Sequence, residues 1–135
     1  MLQKGVWLLL AALGASACDE SALTYPDDGA LFVIAVENEQ FRVRVFNAGE
    51  IAQGRALIAS GANINLNGRI LRGDGGINTG YGWHLHPETV EFVDATIELC
   101  DGMPSYVQAH IGYYVDTVRQ YCPWGARVVS EVASQ

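Results

Sequence analysis

The chain has 135 residues, a length that suits one domain with a modest hydrophobic core. Eight basic residues stand against fifteen acidic ones, for a formal net charge of −7 at pH 7. Because binding to nucleic acid requires cations that neutralise phosphates, this charge excludes nucleic acid as an expected partner.

The N-terminal end of the chain has the order of an export signal. Lys4 supplies a positive charge, residues 6–13 are apolar, and small residues follow up to Cys18. This order is typical of a secretory signal peptide, and the apolar run is too short for a transmembrane helix. Residues 15–18 (ASAC) resemble the lipobox of bacterial lipoproteins, except that Ala15 stands where leucine is usual.

The lipobox resemblance implies a signal peptide over residues 1–17 and lipidation of Cys18. The protein would then be an exported lipoprotein of the bacterial cell envelope, held in the membrane through the lipid anchor at Cys18. Ordinary secretion after cleavage nearby is the alternative. Cleavage before Cys18 removes Lys4 and leaves seven arginines against fifteen carboxylates, a net charge of −8. Because an anionic lipid surface repels such a chain, we expect the lipid anchor alone to hold the protein at the membrane.

Residues 18–30 are polar and contain Pro26 and Gly29, which predicts a tether between the lipid and a single domain over residues 31–135. The domain begins with an apolar run, residues 31–36. In the next run, residues 41–46, three apolar side chains alternate with two arginines, as expected for a strand with one buried face. The two runs predict a β-hairpin.

A helix is predicted after this hairpin. Asn47 is a suitable N-cap with Glu50 three residues on, which is the spacing of a capping box, and Gly61 is a suitable left-handed C-cap. Two short strands are then predicted around a turn at Asn67-Gly68. The glycine-rich residues 73–82 lack a phosphate-loop pattern, and we interpret them as a flexible turn that passes close to Trp83.

The second half of the domain contains β-rich segments and one more helix. Pro87 favours an extended segment over residues 83–87. Ser105 and Gln108 have the spacing of a second capping box, and apolar residues continue at helical spacing to Tyr121. The pattern of residues 127–132 predicts a last strand or a short tail. The fold is therefore predicted to be α+β, an antiparallel sheet with two helices packed on one face.

Cys100 and Cys122 remain as an even pair once Cys18 is assigned to lipidation. In an exported chain such a pair predicts a disulfide. By closing the loop between the two cysteines, this disulfide would stabilise the folded state by about 3 kcal/mol in the chain-entropy model. Metal-bound or catalytic thiols are the alternative, although the chain contains no Cys-x-x-Cys motif.

Five segments together resemble a family of small secreted domains labelled calmodulin-like protein or calmodulin-binding-protein N-terminal domain. The resemblance covers about residues 31–132 and implies no defined activity. No segment has the ligand spacing of an EF-hand loop, and the second helix has only Arg119 as a base, unlike a calmodulin target. The segments are FRVRVFN, IAQGRALIASG, GRILRGDGGIN, WHLHPETVEFVDATIELCDGMPSYV and YYVDTVRQYCPWGARV.

The pattern His84-Leu85-His86 is a candidate metal site. Residues two apart on a strand share a face, so both imidazoles could bind one zinc or copper ion, with a third ligand from His110, Glu88 or Asp101. The alternative is a buried His84 that bonds a carbonyl and a surface His86. For His110, the alternative is a boundary histidine packed between Tyr106 and Tyr114.

Three aromatic residues, Tyr81, Trp83 and Trp124, are candidates for a ligand groove, with a role in the core as the alternative. Ser105 is interpreted as a helix cap rather than a nucleophile, because no Gly-x-Ser-x-Gly motif is present.

Three functions remain open. The first is a non-catalytic binding domain for an unknown protein or small molecule. The others are a zinc or copper domain or small metalloenzyme, and a protease-inhibitor-like module that uses residues 100–105.

Overall fold

The computed structural model describes residues 25–133, which form an α+β fold, as predicted. All strand pairs are antiparallel, and the order in the sheet is β2-β1-β7-β3-β4, with β5 and β6 also paired to β3. The predicted signal peptide and Cys18 lie outside the described residues. Within those residues, no helix is long and apolar enough to cross a membrane. The strands are β1 (Ala30–Val36), β2 (Glu39–Val45), β3 (Asn63–Arg72), β4 (Trp83–Leu85), β5 (Glu91–Val93), β6 (Gln120–Tyr121) and β7 (Ala126–Val132).

The helical elements are α1, α2 and two short turns of other types. Helix α1 covers Ala48–Ser60 and α2 covers Pro104–Ala109. A 3₁₀ turn spans Glu98–Cys100, and a π-helical segment spans Tyr113–Val118.

Strands β1 and β2 form the predicted hairpin. Phe32 lies opposite Val43 and Ile34 opposite Phe41, and all four side chains are buried on the same face. Glu37 takes a positive φ of 54° in the turn between the strands. The alternating pattern therefore places one face of this hairpin in the core.

Helix α1 has the predicted ends but only half of the predicted capping box. The side chain of Asn47 accepts hydrogen bonds from the N–H groups of Gly49 and Glu50, and Gly61 closes the helix with a φ of 68°. Glu50 does not reach back to the cap. Its carboxylate accepts the backbone N–H of Phe92 at 2.8 Å, because the fold brings β5 alongside the start of the helix.

The predicted turn at Asn67-Gly68 is wrong, because both residues lie inside the continuous strand β3. Asn67 pairs with Glu91 of β5, and Gly68 pairs with Tyr121 of β6. A Cβ on Gly68 would lie 3.0 Å from a methyl group of Leu85. The glycine therefore allows a close side-chain approach rather than a reversal of the chain.

The second predicted helix is interrupted. Helix α2 ends at Ala109, the backbone changes conformation at His110, and the π-helical segment follows. Met103 is the N-cap and provides no side-chain hydrogen bond, so the predicted capping box of Ser105 and Gln108 is wrong. Gln108 instead accepts the backbone N–H of Gly82 at 2.7 Å.

One hydrophobic core joins the sheet and the helices. Helices α1 and α2 pack on the sheet face that carries Phe32 and Phe41, as predicted. Gly54 lets α1 approach closely, since a Cβ there would lie 2.7 Å from the ring of Phe32. The centre of the core is aromatic, with Trp83 about equally far from Phe41 (5.3 Å) and Tyr121 (5.2 Å) between ring centroids.

Candidate functional site

The predicted disulfide between Cys100 and Cys122 is confirmed, and it attaches the 3₁₀ turn to the end of β6. The two Cα atoms are 5.1 Å apart, and both cysteines are buried. The backbone N–H of Cys122 also donates to the carbonyl of Cys100 at 2.8 Å. A covalent bond and a backbone hydrogen bond therefore hold residues 97–102 against the domain.

Two tyrosines hold the same segment from inside the core. The hydroxyl of Tyr114 donates to the carbonyl of Asp101, and the hydroxyl of Tyr121 donates to the carbonyl of Gly102, each at 2.7 Å. Burial raises the pKa of both phenols above the ordinary tyrosine value, with smaller contributions from neighbouring tyrosines and Asp101. Both side chains therefore stay neutral donors over the physiological range.

Large apolar side chains are exposed on this segment and on residues connected to it. Within residues 25–133, five such side chains are exposed, by between 39% and 61%. Two belong to the segment itself, and the others contact it or its neighbours. We call this set the disulfide patch: Ile97, Leu99, Tyr106, Tyr113 and Trp124.

Hydrogen bonds and ring contacts connect the last three members of the patch to the segment. The backbone N–H of Trp124 donates to a carboxylate oxygen of Asp101 at 2.9 Å. A Cβ built on Gly102 would lie 3.5 Å from the ring of Tyr106. The ring of Tyr113 lies 5.7 Å, centroid to centroid, from Tyr114, which itself bonds Asp101.

Of the three aromatic residues proposed for a ligand groove, Tyr81 and Trp83 contact each other, with ring centroids 5.2 Å apart. Trp83 is fully buried in the core, with 0% of its surface exposed, so it does not line an open groove. Tyr81 lies in the loop that precedes β4, and its hydroxyl donates to the carbonyl of Gln40 in β2 at 2.9 Å. Burial, followed by the charge of Glu39, raises the pKa of Tyr81. Trp124 lies in the disulfide patch.

The two histidines of the candidate metal site flank the ring of Tyr25, with centroid distances of 5.4 Å from His84 and 5.9 Å from His86. His84 is fully buried, with Nε2 bonded to the Tyr25 hydroxyl and Nδ1 to the carbonyl of Gly73, each at 2.7 Å. A metal at His84 would have to displace one of these partners. Nδ1 of His86 accepts the N–H of Glu88.

His110 caps the end of α2 and stacks on Tyr106, with ring centroids 4.1 Å apart. Its Nδ1 lies 2.8 Å from the carbonyl of Tyr106. Among the described residues, no three His, Cys, Asp or Glu side chains are grouped so that they could hold a metal. Zinc or copper binding by His84 and His86 stays a prediction.

The glycine-rich residues 73–82 form a hydrogen-bonded loop that packs on His84. The loop also contacts Trp83, through the ring of Tyr81 and through a hydrogen bond from the Asn78 side chain to the Trp83 carbonyl. Asp74 accepts N–H groups from Gly76, Ile77 and Asn78. A Cβ on Gly75 would lie 2.7 Å from the ring of His84. The buried side chain of Asn78 then accepts the N–H of Arg42 and covers the edge of β2.

Sequence reasoning did not identify two side chains that organise the site. Glu39 holds the start of α2 through Ser105, and Tyr25 bonds His84 from a segment predicted to be a tether. Asp27 in that same segment pairs with Arg44 at 3.0 Å. No spacing in the sequence indicates these contacts, because the partners lie far apart along the chain.

Comparison with known proteins identifies the family of this domain. The sequence model of the BP-74 N-terminal domain matches residues 28–135, which include every element from β1 to β7. The chain belongs to the BP-74 N-terminal domain family. This family name is consistent with the resemblance to calmodulin-binding-protein N-terminal domains, and it specifies no ligand. No curated protein and no solved structure matches the chain.

The family match places the disulfide patch inside the shared domain, since all of its residues lie between positions 97 and 124. The family match suggests an interaction domain. Ser105 was considered above as a helix cap or a nucleophile. Its hydroxyl donates a hydrogen bond to the carboxylate of Glu39 at 2.8 Å and so has a structural partner.

Proposed function

We propose that this protein is an exported, membrane-anchored interaction domain without catalytic activity, and that it binds a partner protein through the disulfide patch. The observation that carries the proposal is the position of the exposed apolar side chains. All five that the described residues present lie on the segment held by the disulfide or are connected to it by hydrogen bonds and ring contacts. Exposed apolar groups that gather on one surface are typical of interaction sites.

The composition of the patch supports a protein partner. Tyrosine and tryptophan are enriched in the centres of protein interfaces, where their rings bury a large area at a small cost in conformational entropy. The patch includes Tyr106, Tyr113 and Trp124. The exposed carboxylate of Glu98 lies between Ile97 and Leu99 in the chain. We therefore infer a partner surface with an apolar centre and a basic rim.

The rigid backbone below the patch supports the same proposal. The carbonyls of Asp101 and Gly102 accept hydrogen bonds from core tyrosines, so the segment already has a fixed shape before binding. A preformed surface loses less conformational entropy when it binds. The same inward hydrogen bonds give no support to the protease-inhibitor hypothesis, in which this segment would be presented outward.

Site-specific photo-crosslinking in the native cells tests the interaction surface. A photoreactive residue at position 99 or 124 should form one discrete adduct, and the same residue at the exposed position Ala56 of α1 should form none. Leu99→Ser should weaken the adduct from position 124 while the unfolding free energy stays within about 0.5 kcal/mol of the parent. Equal adducts from all positions, or none from the patch, would refute the proposal.

Membrane anchoring has its own test. The order of charged, apolar and small residues that ends at Cys18 supports the lipid anchor. Cys18→Ala should release the protein from the membrane fraction or stop its processing, whereas Cys100→Ala should leave its fractionation unchanged. Unaltered processing and membrane retention of the Cys18→Ala chain would exclude lipidation as the anchor.

A further inference from the structure

A cleft of about 410 Å³ lies between β3 and the end of the π-helical segment, and its walls are rich in arginine. Three of the chain's seven arginines line it, although the chain as a whole is acidic. A single carboxylate, from Asp116, faces them, and apolar side chains form part of the wall. The residues used below are Arg69, Arg72, Arg119, Asp116, Leu71 and Val115.

The carboxylate in the cleft balances only part of this charge. Asp116 accepts two hydrogen bonds from the guanidinium of Arg72, at 2.7 and 2.6 Å. These bonds lower the pKa of Asp116, and the charges of Arg72 and Arg119 lower it further. Within residues 25–133, the guanidiniums of Arg69 and Arg119 form no hydrogen bond or ion pair. The cleft therefore carries a net positive charge.

The backbone at Arg119 is held in an unusual conformation. Its φ of 67° is in the left-handed region, and within the described chain only Glu37 shares this property among non-glycine residues. Its N–H donates to the carbonyl of Tyr114, and its carbonyl accepts the N–H of Ile70 in β3. Strained residues and π-helical turns are both frequent at functional sites. Here the residue in the left-handed conformation is an arginine that lines the cleft.

We propose that this cleft binds a tetrahedral oxyanion, a phosphate or sulfate group, carried by a small soluble ligand or by a lipid headgroup. The planar fork of a guanidinium matches two oxygens of such a group and forms charge-assisted hydrogen bonds with it. Leu71 and Val115 exclude part of the water from the cleft, which strengthens these bonds. The proposal does not depend on the disulfide patch, because none of the patch residues lines the cleft.

Isothermal titration calorimetry of the full chain at low ionic strength tests the site with inorganic phosphate. Arg69→Gln and Arg119→Gly should each weaken binding by about tenfold or more, as expected when a hydrogen bond to a charged group is lost. Arg119→Gly also relieves the left-handed strain, so its unfolding free energy should equal or exceed that of the parent. The matched control is Arg127→Gln, which removes the same charge from an exposed position on β7 and should change affinity less than twofold.

Asp116→Asn and a second probe complete the experiment. Among residues 25–133, Asp116 supplies the one carboxylate that lines the cleft, so phosphate affinity should rise in Asp116→Asn. The deacylated headgroup glycerophosphoglycerol distinguishes the two sources. Tighter binding of that headgroup than of phosphate, with the same dependence on Arg119, assigns the site to lipid, and the reverse order assigns it to a soluble anion. Binding of neither probe, or an equal loss of affinity in Arg127→Gln, would overturn the proposal.

Discussion

Glu39 and Ser105, which are 66 positions apart in the chain, are joined by two hydrogen bonds. The carboxylate of Glu39 accepts the backbone N–H of Ser105 at 2.7 Å and its hydroxyl at 2.8 Å. The first N–H groups of a helix have no partner within the helix, and a negative charge near them is favourable. A strand therefore provides the cap that α2 does not obtain from Met103, its own N-cap residue.

This relationship predicts that the two side chains act as one unit. Ser105→Ala should lower the unfolding free energy by about 1 kcal/mol, and Glu39→Ala should lower it more, because both hydrogen bonds are then lost. The double variant should be no less stable than Glu39→Ala alone. Urea denaturation of the four proteins measures this cycle. Additive losses in the double variant would contradict the direct contact.

Two neighbouring glycines provide a matched test of the loop that packs on His84. Gly75 and Gly76 both have positive φ, 62° and 69°, so alanine costs about 1 kcal/mol or more at either position. Only at Gly75 would the new Cβ also lie 2.7 Å from the His84 ring. Gly75→Ala should therefore be less stable than Gly76→Ala by a further 1–3 kcal/mol or so. Equal thermal stability of the two variants would show that the loop moves away from His84.

Removal of the disulfide should destabilise the domain. Replacing Cys100 and Cys122 together by serine should lower the unfolding free energy by about 2–5 kcal/mol, the usual range for a native disulfide in a small secreted domain. Reductant should produce a similar loss in the parent protein and none in the variant. Denaturation with and without reductant measures both effects, and a parent protein insensitive to complete reduction would contradict this expectation.

The burial of three tyrosine side chains predicts that the domain loses stability at alkaline pH. Burial raises the pKa of Tyr121 far above the ordinary value of 10.0, and raises those of Tyr114 and Tyr81 as well. The folded state holds these phenols neutral, while the unfolded chain releases their protons near pH 10. The unfolding free energy is therefore unaffected by them below that pH and falls above it.

Spectrophotometric titration of the phenols checks this prediction. In the folded protein, a part of the tyrosine absorbance change should be delayed until the domain unfolds. Tyr121→Phe should be less stable at neutral pH, because its hydrogen bond to Gly102 is lost, yet its stability should fall less steeply above about pH 10. A parent protein whose tyrosines all titrate together near pH 10 while still folded would rule out the burial.

Several elements could be predicted because their signals are local. The alternation over residues 41–46 places Phe41 and Val43 on one face whatever lies beyond the hairpin. Asn47 and Gly61 define the ends of α1 through hydrogen bonds within a few residues. The disulfide followed from the count of cysteines in an exported chain.

The candidate site could be predicted only in part. The spacing of His84 and His86 placed them on one side of an extended segment, and in the structure both lie beside Tyr25. No pattern indicated that Tyr25 would occupy Nε2 of His84, or that Trp83 would be fully buried. The disulfide patch was not predicted as a set, although Trp124 was a groove candidate, because its members belong to four separate segments that only the fold connects.

The sequence by itself therefore determined the fold class, the first hairpin, the ends of α1 and the cysteine pair, since each depends on interactions between near neighbours or on composition. Tertiary structure decided the rest. Asn67 and Gly68 have a strong local preference for a turn, yet they continue β3 because β5 and β6 supply pairing partners. Glu50 bonds Phe92 rather than its own cap for the same reason. Each long-range partner outweighs a local preference that is worth only about 1 kcal/mol.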